Sequence, residues 1–187
     1  MNITPVNAAL DSFIAQLIAL QPEAPRILFN ADWPSPCYQQ QADPGVSVGW
    51  RPVRQTEQND MFDRLSTALE EPLHPDIVSY YSRYWSDPLP AVWEGEPLSL
   101  LQAWNPADLE RLRENLIGHA LNKQRSKAPL TIFFACVEPD TDYFVSLENQ
   151  SGQVVLEKPG QPVIRVLANS LAEFLNNLTP TAIPDQD

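Results

Sequence analysis

Cysteine is scarce in this chain: Cys37 and Cys136 stand alone among 187 residues and do not form a CxxC pair. This spacing excludes a disulfide framework and a cysteine-based zinc site, so we expect two reduced thiols. Long apolar runs are also missing, since none approaches the ~18 residues of a membrane span. The first apolar stretch follows no Lys or Arg and contains Asp11, unlike a signal peptide. These absences predict a cytoplasmic protein.

The usual catalytic and cofactor motifs are absent as well. The sequence contains no Walker A motif, no GxGxxG and no HExxH, and His74 and His119 are isolated, so we expect no metal and no cofactor. "GVSVG" at 45–49 matches the pattern around a nucleophilic serine, here Ser47, but Pro52 blocks the helix that such a serine must precede. Carboxylate spacing neither favours nor excludes glycosidase-type chemistry in a chain with 24 acids. The sequence therefore favours a non-enzymatic protein.

Positive charge is in short supply. The 24 acidic and 12 basic side chains give a net charge of -12, and residues 55–110 alone carry -9. Nucleic acids are disfavoured because phosphate binding requires a basic face. Direct binding to anionic lipid is disfavoured for the same reason. An acidic field instead attracts basic partners, either through one docking face or simply as a solvated surface.

Hydrophobic periodicity divides the chain into helices and short strands. The helical patterns cover residues 7–21, 59–70, 76–85, 106–125 and 171–178. Strand-like runs and turn residues predict strands at 46–50, 91–93, 98–104, 131–137, 143–149, 153–158 and 163–168. Adjacent strands joined by short turns indicate an α+β domain with a mainly antiparallel meander sheet and helices packed on one face.

The predicted layout is a single domain over residues 1–187, the size at which one hydrophobic core is the rule. Its N-terminal helix covers about 7–21, a proline-rich loop covers 22–45, and the core covers 46–178. The tail, 179–187, contains two prolines and is expected to be frayed.

One histidine lies inside the predicted helix over 106–125. His119 falls at the edge of the apolar stripe formed by Leu109, Leu112, Leu116 and Ala120. We expect it to pack against a neighbouring strand rather than to act in catalysis. The cations that follow it complement the dipole at the end of the helix: Lys123, Arg125 and Lys127.

Several stretches of the sequence resemble one family. "LSLLQAWNPADLERLRENLIGHALNKQR" followed by "TIFFACV", "NQSGQVVLEK" and "LANSLAEFLNNL" is similar to the Syd family, SecY-interacting proteins of gram-negative bacteria. "WPSPC" at 33–37 and "PDIVSYYSRY" at 75–84 resemble earlier landmarks of that family. The resemblance covers about residues 33–178 and combines several motifs in order.

The resemblance implies a non-enzymatic α+β module of the SUKH superfamily with a concave, electronegative face. It implies binding to SecY, peripheral association with the cytoplasmic side of the inner membrane, and a role in monitoring or negatively regulating SecY assembly. Basic cytoplasmic loops of SecY are the expected partner, because such loops are enriched in Lys and Arg. The alternative is a SUKH-type immunity protein that neutralises a basic toxin domain.

Candidate contact residues come from the acidic turns and helices, since the family's groove residues do not transfer position by position. We expect a monomer whose acidic face is lined by carboxylates of a helix, a hairpin turn and a strand-joining loop, with two aromatic side chains nearby. These residues are Asp60, Asp63, Glu94, Glu96, Glu138, Asp140 and Asp142, with Trp85 and Trp93 as the aromatics.

Overall fold

The helices begin where polar side chains cap them. A computed structural model describes residues 3–139 and 142–186. Thr4, Asn105 and Ser170 each accept a hydrogen bond from a backbone N–H of the following turn, which satisfies a donor that the helix itself leaves unpaired. The helices of the described residues are α1 Pro5–Leu20, α2 Met61–Leu69, α3 Pro75–Tyr81, α4 Pro106–Arg125 and α5 Leu171–Asn176.

The strands form one large sheet and two small ones. In the large sheet the order is β10-β9-β8-β7-β6-β5-β11, and every pair is antiparallel. The α+β class and the mainly antiparallel meander are therefore confirmed. The strands are β1 Arg26–Leu28, β2 Ser47–Gly49, β3 Val53–Arg54, β4 Tyr84–Trp85, β5 Leu89–Trp93, β6 Glu96–Leu100, β7 Thr131–Val137, β8 Phe144–Glu148, β9 Val154–Glu157, β10 Arg165–Ala168 and β11 Thr179–Pro180.

One face of the large sheet packs on α1, α3 and α5. Phe174 of α5 contacts Trp93 of β5 and Phe134 of β7, with ring centroids 5.9 and 5.7 Å apart. Tyr80 of α3 meets the same Phe134 at 5.4 Å, and α1 contacts both α3 and α5. The prediction of helices packed on one face is confirmed for these three helices, but not for α4.

Helix α4 lies against the other face. Its His119 contacts the rings of Phe133 and Phe144 at 5.5 and 5.7 Å. Phe133 and Phe134 are adjacent in β7, so their side chains lie on opposite faces of the sheet. The sequence pattern hides this arrangement, because the strand is apolar on both sides.

A buried ionic network fastens α4 to the sheet. Thr131 Oγ1 donates to Glu157 Oε2 at 2.7 Å, and Lys123 forms an ion pair with Glu157, whose side chain is 0% exposed. His119 Nε2 lies 2.9 Å from Thr131 Oγ1. Because that hydroxyl donates its proton to Glu157, Nε2 of His119 is the donor toward it. The expectation that His119 packs against a strand is confirmed.

The C-terminal segment corrects one prediction. Residues 179–186 do not fray: Thr179 and Pro180 form β11 beside Val92 and Ala91 of β5. Ile183 is buried and exchanges two backbone hydrogen bonds with the side chain of Gln21. The segment covers a strand edge that would otherwise stay unpaired. The proline-rich loop 22–45 is likewise partly regular, since β1 within it pairs with β2.

We expect Lys123→Met to lower the free energy of unfolding by about 3 kcal/mol, because it leaves the buried carboxylate of Glu157 without its cation. The double variant Lys123→Met/Glu157→Gln removes both charges and should recover most of that loss. Urea unfolding at pH 7 measures both variants and the single variant Glu157→Gln. A double variant as unstable as the sum of the two single variants would show that the two side chains are not coupled.

Burial lowers the pKa of His119, so the folded protein favours the neutral ring. The unfolded chain then binds more protons than the folded protein as the pH falls below about 6.5, and stability is lost in that direction. We expect the difference in unfolding free energy between the native sequence and His119→Gln to shrink from pH 7.5 to pH 5. Denaturant unfolding at both pH values tests this, and a constant difference would contradict it.

Candidate partner-binding surface

The strand turns gather several of the predicted acids at one end of the large sheet. Glu94 and Gly95 make the β5–β6 turn with φ of 49° and 88°, the left-handed pair that a two-residue hairpin requires. The β7–β8 connection lies at the same end, because Glu138 N donates to Pro97 O at 2.9 Å. The turn geometry therefore places Glu94, Glu96 and Glu138 together and leaves all three exposed.

The same end also holds Asp142. Its carboxylate lies 3.7 Å from the ammonium of Lys158, which in turn lies over the ring of Tyr143 at 4.8 Å. Within residues 3–139 and 142–186, no Lys or Arg forms an ion pair with the three other carboxylates. Asp140 lies outside the described residues. We call Glu94, Glu96, Glu138 and Asp142 the acidic end.

The two predicted acids of α2 lie on a different element. Asp60 forms an ion pair with Arg64 at 2.9 Å, and Arg64 also binds Glu110 of α4. Asp63 is exposed in the first turn of α2, a helix that packs along α4. Arg64 thus joins α2 to α4, whereas the described contacts of Asp60 and Asp63 stay within α2 and do not bring these acids into the acidic end.

Both predicted aromatics serve mainly in packing. Trp93 is 7% exposed, stacks on Phe174, and has the guanidinium of Arg165 over its ring at 5.2 Å. Trp85 is half-buried, pairs with Val53 and bridges to Ala103. Sequence alone does not separate these rings from surface aromatics, because both lie beside turns. Trp93 in particular has little surface left for a partner.

A surface that the sequence did not reveal lies beside α4. Pro90, Ser99, Cys136 and Phe144 are direct cross-strand partners on β5 to β8, and each is half-exposed. Val92 follows on the same side of β5. Farther along this face α4 covers the sheet, so that Ser146 and Glu157 there are fully buried. We call the five partly exposed residues, Pro90, Val92, Ser99, Cys136 and Phe144, the open strip.

Carboxylates lie at both ends of the open strip. Glu138 follows Cys136 at one end, and burial together with this carboxylate raises the pKa of the Cys136 thiol. Asp87 precedes β5 at the other end, where burial and the nearby carboxylate of Asp108 raise its pKa, while a hydrogen bond from Gln186 lowers it. Sequence reasoning missed Asp87 and Asp108, since only the fold brings the chain before β5 close to the start of α4.

The arrangement suits recognition of a segment by charge and shape. Among the described residues, no cluster of His, Cys, Asp and Glu has the geometry to hold a metal ion. Ser47 lies in β2 and accepts a hydrogen bond from the Arg26 guanidinium at 2.9 Å, and residues 53–54, soon after it, form β3 instead of a helix. No helix in the described part of the chain has both the length and the apolar character needed to cross a membrane.

Known proteins with similar sequences match most of the length of this chain. The family model of the Syd protein (SUKH-2) matches residues 6–180. Protein Syd of Pseudoalteromonas atlantica is 44% identical, over 94% of this chain and 96% of the relative. Protein Syd of Alteromonas mediterranea is 40% identical with the same coverage, and that of Hahella chejuensis is 40% identical over 80% of this chain and 77% of the relative. The chain belongs to the Syd family.

Proposed function

We propose that this protein binds basic cytoplasmic loops of SecY through the acidic end of its sheet and acts there as a non-enzymatic regulator. The observation that carries the proposal is the group of exposed carboxylates, Glu94, Glu96 and Glu138, for which the described residues provide no ion-pair partner. Membership of the Syd family is consistent with the choice of SecY, the partner that the sequence resemblance implies. The relatives also carry the name Protein Syd and no enzyme name.

Electrostatics supplies the mechanism. Cytoplasmic loops of membrane proteins carry an excess of Lys and Arg, and a net charge of -12 attracts them. Each exposed ion pair contributes only about 0–1 kcal/mol, so several must form together. The two turns hold their carboxylates on rigid strand ends, which reduces the entropy lost when the loop binds.

The location and the role follow from the same interaction. The protein associates as a monomer with the cytoplasmic side of the inner membrane, peripherally and through SecY, because its acidic surface is repelled by anionic lipid. On this proposal, the basic loops are accessible on SecY that lacks its proper partners. Occupying them lets the protein monitor, and negatively regulate, the assembly of the translocase.

We expect the charge-reversed variant Glu94→Lys/Glu96→Lys/Glu138→Lys to capture SecY at least tenfold less well than the native sequence. The reversal replaces three attractive interactions with repulsive ones. The measurement is recovery of SecY from detergent-solubilised inner membranes on immobilised protein. Recovery by the native sequence should itself fall as NaCl rises from 0.1 to 0.5 M.

The matched control is Glu23→Lys/Asp43→Lys/Glu57→Lys, which reverses three exposed acids elsewhere and changes the net charge equally. It should reduce capture much less, because the position of the charges decides binding. Equal losses in the two triple variants would assign the effect to overall charge and contradict docking at the acidic end. Unchanged capture in both would contradict electrostatic docking altogether. Unfolding curves confirm that each variant is folded.

A further inference from the structure

The open strip is an uncharged floor between two groups of carboxylates. The cross-strand partners Pro90, Ser99, Cys136 and Phe144 form a row across four strands. The width of this row is roughly 14 Å at the usual strand spacing. Along the strands, the distance from the region of Asp87 to that of Glu138 is about 17 Å at 3.3 Å per residue. An extended segment therefore covers the floor with about five residues and brings side chains near both groups of carboxylates.

The floor is apolar but incompletely covered. Pro90, Val92 and Phe144 present hydrocarbon surface that stays half-exposed, whereas Val155, on the same face under α4, is 3% exposed. The thiol of Cys136 adds no charge, since its pKa is raised. Removing this surface from water is favourable, so an apolar side chain of a partner gains by lying on it.

The charges around the floor restrict the occupant. A second copy of this chain would bring further carboxylates to Glu138, Asp87 and Asp108, which like-charge repulsion opposes. A segment that is basic throughout would place cations over the hydrocarbon of Val92 and Phe144, and the carboxylate beside Phe144, that of Glu157, is buried and already paired with Lys123. The best match has basic residues at its two ends and apolar residues between them.

We propose that the open strip binds an extended partner segment in which two Lys or Arg residues flank about five residues with an apolar centre. The inference rests on the proposed function and deepens it: the acidic end attracts the basic loop of SecY, and the strip selects among basic loops by the apolar side chains between the charges. Salt weakens the ion pairs but not the apolar contacts, so we expect the selectivity, unlike the overall affinity, to persist at high salt.

Two blocked peptides of equal charge test the selection, KSLVLSK and KSSSSSK. Titration of the isotope-labelled full chain, followed by amide chemical shifts, gives the dissociation constants and the location. We expect KSLVLSK to bind about tenfold more tightly, with the largest shifts at Val92, Ser99 and Phe144, and the ratio to persist in 0.5 M NaCl. Equal dissociation constants, or shifts confined to other surfaces, would overturn the proposal.

A matched pair of variants places the effect on the strip. Val92→Arg puts a cation on the floor, and Val166→Arg puts the same side chain on β10, where Val166 is 50% exposed. We expect the first variant to weaken KSLVLSK binding and SecY capture at least tenfold and the second to leave both unchanged. Ser99→Arg repeats the test if Val92→Arg does not fold.

The same assays separate this inference from the proposed function. If reversal of the acidic end abolishes SecY capture while Val92→Arg and Ser99→Arg leave it intact, SecY docking stands and the strip has no role. If capture is insensitive to the acidic end and to the strip, both proposals fail. Loss of capture both on reversal of the acidic end and in the strip variants, but not in Val166→Arg, supports both.

Discussion

The buried carboxylate of Glu157 determines how much of the sheet is available to a partner. An unpaired anion at that depth is very costly, so the ammonium of Lys123 and the hydroxyl of Thr131 must stay in place beside it. The ion pair of Lys123 and the hydrogen bond from His119 to Thr131 fix α4 over the strands from β7 to β9. The part of the same face that lies on β5 and β6 then has no helix above it, and the open strip follows from this placement.

The antiparallel meander has a second consequence, for charge. Because successive strands reverse direction, the turns after β5 and β7 project from one end of the sheet. Turns favour polar residues that tolerate solvent, and in this acidic chain those residues are carboxylates. Acids that are 44 positions apart in sequence, Glu94 and Glu138, therefore become neighbours. No cation in the described part of the chain pairs with either, in contrast to Asp60 and Glu110, which Arg64 holds.

The sequence was informative wherever a local rule decided the structure. Asn105 followed by Pro106 predicts the start of α4, and "TIFFACV" matches β7 residue for residue. The role of His119 was also predicted, since its position at the edge of an apolar stripe requires a neighbouring strand. The acids of the hairpin turn were found because a turn exposes its side chains, although whether they contact a partner stays a prediction.

Long-range contacts set the limit of sequence reasoning. The composition of the tail predicts fraying, yet Ile183 is buried and Thr179 pairs with Val92. The edge of β5 provides a pairing partner for the tail, and no local sequence pattern predicts this contact. Trp93 was predicted to be a contact aromatic, and it lies beside a turn, but the packing of α5 makes it part of the core. Asp87 and Asp108 are recognised as one group of carboxylates only in the folded protein, because the fold brings them together.

Specificity in such a surface depends on the spacing of the charges more than on their number. A chain with twice as many acids as bases attracts any basic segment, so attraction alone does not distinguish one partner from another. A rigid, uncharged floor between Glu138 and the pair Asp87 and Asp108 makes discrimination possible, because it penalises a cation over the centre and a segment too short to reach both ends. The strands that carry these groups belong to the core, so the distance between the charges is fixed by the same packing that keeps the protein folded.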